Sequence, residues 1–112
     1  MIVPVTDAAA VADALAGHAV AVIYKHSPRC GSCVAALDEV QRFAAAHPDI
    51  TVFQVEVLTQ RGASDAIAEQ LGVRHASPQV IVVHEGRAVW SATHWSVTAR
   101  ALAEQVLRVG AT

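Results

Sequence analysis

The stretch "YKHSPRCGSC" sets Cys30 and Cys33 three residues apart, just after an apolar run and just before a helical pattern. Thiol–disulfide exchange needs one thiolate to attack a disulfide sulfur and a second thiol to release the mixed disulfide that results. Three-residue spacing on a helix brings both sulfurs to one face. At the start of a helix, Cys30 meets unpaired backbone N–H groups and the positive end of the macrodipole, which hold a thiolate and draw its pKa from about 8.5 toward 7 or below. Cys30 is therefore the expected nucleophile, and Cys33, one turn deeper and less exposed, the expected resolving thiol. Lys25, His26 and Arg29 bring positive charge that favours the thiolate. The plainer alternative is solvated surface charge for Lys25 and Arg29, and a strand end open to water for His26. Two other uses of the pair stay open: small hydrophobes in a core helix, or half of a soft-metal site. Zinc takes four protein ligands, or three and a water. Only His26 lies near in sequence, with His75 and His94 as recruits from the fold, so no metal is expected.

The surrounding pattern supplies the elements that must hold these sulfurs. Thr6 or Asp7 can cap a helix over residues 8–16, which Gly17 stops. Residues 18–26 are continuously apolar from Ala19 to Tyr24 and suit a strand buried on both faces. From Cys30 onward, Val34, Leu37, Val40, Phe43 and Ala44 fall at helical spacing, and His47 and Pro48 close that helix. Residues 50–58 alternate as a second strand. Ser64 reads as the cap of a helix that ends at Gly72. Residues 78–93 give two strands joined near Glu85, Gly86 and Arg87, a hairpin. Residues 96–110 close the chain with a helix whose Val97, Ala101, Leu102, Val106 and Val109 share a side. A β-α-β crossover followed by a hairpin predicts an α/β fold, a four-stranded mixed sheet with helices on both faces, as one domain over residues 1–112.

Bulk properties exclude other classes. With 112 residues and 54% hydrophobic content the chain can build a core unaided. A charged fraction of 16% and a formal net charge of −2 point to neither nucleic acid nor an anionic membrane surface as partner. The longest apolar runs are about five residues, far from the roughly 20 that span a bilayer. The first residues lack Lys and Arg and carry Asp7 and Asp13, unlike a secretory leader. A cytoplasmic monomer is expected, where cysteines are more often catalytic than structural.

A CxxC at the first strand-to-helix junction of this element order resembles the thioredoxin fold. That resemblance implies a cis-proline before the third strand, facing the cysteines, and Pro78 of "VRHASPQV" stands in that place. The backbone of Ser77 would then pair with an extended substrate. "YKHSPRC", the "H-x-SPQ" of His75, Ser77, Pro78 and Gln79, and the "HW" of His94 and Trp95 further resemble the monothiol bacilliredoxins of bacillithiol metabolism, over residues 18–107. This implies a thioredoxin-like disulfide reductase of mixed disulfides, with Cys30 as reactive cysteine and Ser77, Pro78 and Gln79 at the substrate turn. It also implies no cofactor beyond a redox-active Cys30–Cys33 disulfide, bacillithiol or a similar small thiol as co-substrate, and an unidentified reductase or thiol as electron donor.

Two departures qualify the implication. The family usually has serine at the place of Cys33 and proline at that of Gly31, so "CGSC" is a dithiol motif in a monothiol setting. Thioredoxins often carry a buried acid six residues before the first cysteine, where this chain has Tyr24, and an aromatic where it has Arg29. Arg29 is then expected to meet a carboxylate of a small thiol. His75 and His94 are expected at the cleft rim, His18, His47 and His84 at the surface, and Trp90 and Trp95 in packing. A non-catalytic soft-metal or interaction domain on the same scaffold remains the alternative.

Overall fold

The computed structural model describes residues 1–28 and 31–110. Its elements are β1 (Ile2–Pro4), α1 (Ala8–Ala16), β2 (Val20–His26), α2 (Gly31–Ala46), β3 (Thr51–Glu56), α3 (Arg61–Leu71), β4 (Gln79–His84), β5 (Arg87–Thr93), a 3-10 turn (His94–Ser96) and α4 (Ala99–Gly110). The sheet has five strands in the order β1-β3-β2-β4-β5, one more than the sequence predicts. The extra strand comes from the first residues, where Ile2 pairs with Val52 and Val3 with Phe53 in parallel. β3 also runs parallel to β2, while β4 and β5 run antiparallel to their neighbours.

The central strand leads toward the helix that carries Cys33. β2 has neighbours on both edges and is buried on both faces, which is what its unbroken apolar run encodes. Val22 and Tyr24 face α2 and α4, packing with Val40, Phe43 and Leu102. Ala21 and Ile23 face α1 and α3, packing with Val11, Leu15 and Ile67. Each fully buried Val, Leu, Ile or Phe among them contributes about 1.5–3 kcal/mol of transfer free energy.

Local signals fix the ends. Asp7, not Thr6, caps α1, its Oδ1 accepting from the Ala10 N–H at 2.8 Å. Glu85 and Gly86 both have positive φ, 51° and 80°, the geometry of a two-residue hairpin turn between β4 and β5. The third helix departs from expectation: it begins at Arg61, so Ser64 lies inside it and is buried rather than capping it. At the start of α4, the Ala99 N–H donates to Glu39 of α2 at 2.9 Å and the Ala101 N–H to Thr98 Oγ1 at 3.1 Å. The two helices on that face are thereby tied together beside the sheet's C-terminal edge.

Candidate functional site

β2 ends at His26, and the segment that follows leads into α2. Arg29 and Cys30 lie outside the described residues, so the expected nucleophile and its basic neighbour are placed by the chain alone. Cys33 is the third residue of α2, fully buried, and carries no free thiol in this structure. Its Sγ lies 3.9 Å from Ser77 Oγ, which brings the turn before β4 against the second cysteine. The Ser77–Pro78 peptide bond is cis. The Pro78 carbonyl accepts from the His94 N–H at 3.0 Å, so the "SPQ" and "HW" segments meet at one place. Gln79 points inward, its amide donating to the Arg74 carbonyl at 3.0 Å, and its Oε1 has no hydrogen-bond partner among the described residues.

Beneath Cys33, on the α2 face of the sheet, a polar pair is sealed in. The Tyr24 hydroxyl lies 2.6 Å from His26 Nδ1 and reaches the Cys33 carbonyl at 3.4 Å. Both rings are buried, so His26 is not the water-exposed strand end that its position suggests. Burial, aided by the nearby Glu56 carboxylate, raises the Tyr24 phenol far above its ordinary pKa. Tyr24 therefore stays neutral and serves as a hydrogen-bonding post, not as a proton acceptor.

Lys25 takes the opposite face of β2 and is also fully buried, against the expectation of a solvated charge. Its Nζ donates to the Ser64 carbonyl at 3.0 Å and to His75 Nδ1 at 3.1 Å. Ser64 Oγ lies 3.2 Å from the same ring nitrogen. Sequence reasoning missed Ser64 and the Lys25–His75 contact, because 39 and 50 residues separate Lys25 from these partners. His94 and Trp95 stand exposed on the 3-10 turn, Trp95 at 72%, so Trp95 does not pack as expected whereas Trp90 does. Of the remaining histidines, His18 is exposed with its edge on Phe53, His84 is half-buried, and half-buried His47 stacks on Phe43 at 4.6 Å. Among the described residues no three His, Cys, Asp or Glu side chains gather as metal ligands, and no helix is long and apolar enough to cross a membrane.

The model of the family described as Monothiol bacilliredoxin BrxC matches residues 4–102. The chain belongs to the monothiol bacilliredoxin family. Solved structures give the same fold. One described as having a thioredoxin fold is 24% identical, covering 92% of this chain and 91% of its own, with a TM-score of 0.85. Mitochondrial thioredoxin 3 from Saccharomyces cerevisiae, in oxidized form, is 17% identical over 96% of this chain and 94% of its own, with a TM-score of 0.77. Thioredoxin O2 from Arabidopsis thaliana, also oxidized, is 22% identical over 96% and 92%, with a TM-score of 0.73. The expected fold class is thus correct, with β1 as an addition.

In this bacilliredoxin the Lys25–His75 pair on the far face of β2 makes stability depend on pH. Burial lowers the Lys25 pKa, opposed by Asp65. Burial first, then the Lys25 charge, lowers that of His75, again opposed by Asp65. A base whose folded pKa is depressed binds fewer protons folded than unfolded, so stability rises with pH across the window between the two values. For His75 that window lies just below 6.5, its ordinary value. Acidification from about pH 7 to about pH 5 is expected to lower Tm, and His75→Gln to lessen the drop, as read by thermal denaturation across that range.

Proposed function

We propose that this chain is a thiol–disulfide exchange enzyme acting on disulfides between proteins and a small thiol such as bacillithiol, in a reducing compartment such as the cytoplasm. The Cys30 thiolate attacks one sulfur of the mixed disulfide, forming a new S–S bond and expelling the other sulfur as a thiolate that takes up a proton. Cys33 then gives up its proton and attacks the Cys30 sulfur, expelling the second thiol. The substrate disulfide gains two electrons, and the Cys30–Cys33 pair loses two as it closes an internal disulfide. An external thiol or dithiol reductant returns the pair to the reduced form.

The observation that carries this reading is the placement of Cys33. It sits sealed one turn into α2, three residues after Cys30, with the Ser77 hydroxyl 3.9 Å from its sulfur. A resolving sulfur gains from that shelter, because bulk oxidants and stray disulfides do not reach it. Ser77 supports a docking role for its turn, since an extended substrate laid beside it passes next to the cysteines. Arg29 and Gln79 are proposed with Ser77 and Pro78 as substrate contacts, and His26 and Lys25 as sources of the field that favours a thiolate.

A reporter protein carrying a mixed disulfide tests the assignment. Cys30→Ser is expected to abolish release of the small thiol, and alkylation of Cys30 in the wild type to show a pKa below the 8.5 or so of a free cysteine. Full turnover by Cys30→Ser would overturn the reading.

A further inference from the structure

Lys25 is the most expensive side chain in this fold. It is fully buried, and among the described residues no carboxylate lies within ion-pair distance of its ammonium. Replacing a buried charge by a hydrophobe of similar shape is commonly neutral or stabilising. An ammonium has protons to give and no lone pair to accept with. Its contact to His75 Nδ1 therefore makes that nitrogen an acceptor, and Ser64 Oγ stands on the same nitrogen. The ring proton is left on Nε2, and the residue itself is exposed.

His75 lines a cleft of about 360 Å³ together with Val57, Leu58, Arg61, Ser64 and Asp65. Arg61 adds a cation to the wall, and Asp65 an acceptor. His75 stands two residues before Ser77, whose hydroxyl lies 3.9 Å from Cys33 Sγ, and two residues of extended chain span at most about 7 Å. We infer that this cleft is a recognition subsite for a carboxylate on the small-thiol half of the mixed disulfide, with Nε2–H of His75 as its oriented donor and Lys25 as the residue that fixes the orientation. The inference rests on the exchange activity proposed above. Arg61 meets the carboxylate's charge, Asp65 accepts from a hydroxyl or ammonium elsewhere on the same thiol, and at this subsite Lys25 acts through His75, as a positioning residue.

Two reporter proteins test it, one blocked with 3-mercaptopropionate and one with 3-mercaptopropionamide, which match in size and shape, the second carrying a neutral amide in place of the carboxylate. The wild type is expected to favour the first by about tenfold in kcat/KM, since a hydrogen bond to a charged group is at stake. In His75→Phe the ratio should fall toward one, with the loss carried in KM. Lys25→Met gives a second variant that does not depend on His75 being removable. It is expected to fold with a Tm at or above that of the wild type, to lose the same preference, and to show by nitrogen-15 NMR a His75 ring spread over both tautomers where the wild type holds Nε2–H. Equal rates on the two reporters in the wild type would overturn the subsite and leave exchange standing. Turnover of neither would overturn exchange, and the subsite with it. A wild-type His75 protonated on Nδ1 would overturn the role given to Lys25.

Discussion

Cys33→Ser is expected to leave a protein that attacks once and then stalls, with the small thiol or the substrate protein bonded to Cys30. Serine is the conservative choice for the site. It is the residue that the family pattern resembled by this chain usually carries there, and Ser77 Oγ, 3.9 Å from the present sulfur, can partner the new hydroxyl. The fold should therefore persist while the second chemical step is lost. Resolution by Cys33 is intramolecular, and well-oriented intramolecular reactions reach effective molarities of about 10⁵ M and beyond. External thiol at millimolar concentration replaces that poorly, so the resolution step should slow by at least about 10³-fold. Intact-mass spectrometry after one equivalent of substrate is expected to show an adduct on Cys33→Ser and none on the wild type, and excess small thiol to remove the adduct. A variant that turns over as fast as the wild type, with no adduct at any time, would mean that this member uses its first cysteine alone.

Much of the scaffold around that chemistry is written in local sequence, and its misreadings share a cause. The unbroken run from Ala19 to Tyr24 reports a strand covered on both faces, and the structure places it at the sheet's centre. Asp7 and the Glu85–Gly86 pair act through neighbours within three residues, so cap and turn are legible. The first strand is not, because three residues ending in proline carry no period, and only the distant β3 turns them into a strand. Ser64 shows the same limit. A serine before a helical run reads as a cap, yet its work is done toward Lys25 and His75 across the fold. Lys25 and His26 look like a charged strand end, and they are buried because α2 and α3 close over the two faces of that strand end. Trp95 errs the other way, a large aromatic left exposed on a one-turn element beside the Pro78 turn.

Tyr24 should prove the most sensitive single position beneath the redox motif. Its ring fills the space between β2 and the helices α2 and α4, so Tyr24→Ala removes a fully buried aromatic and is expected to cost about 3–5 kcal/mol. That is a large share of the stability of a domain this size. Tyr24→Phe keeps the ring and removes the hydroxyl alone. It leaves His26 Nδ1, buried and formerly 2.6 Å from its partner, to meet no replacement, at a cost of about 1–3 kcal/mol. The Cys33 carbonyl loses a weaker contact of 3.4 Å in the same change. Tyr24→Asp installs the kind of buried acid that thioredoxins often carry at this place, and here it should be badly tolerated. The carboxyl would sit in a site that raises the phenol's pKa by burial and by Glu56, and the same two causes raise an acid's pKa. An acid with a raised folded pKa binds more protons folded than unfolded, so its stability falls as pH rises through that interval. Denaturant unfolding of Tyr24→Asp should give its best stability in mild acid and its worst near neutrality, a slope opposite to the one expected from His75 in the wild type. Equal stability of the tyrosine, phenylalanine and aspartate forms at neutral pH would refute the view that a neutral phenol bonded to His26 is the element on which Cys33 rests.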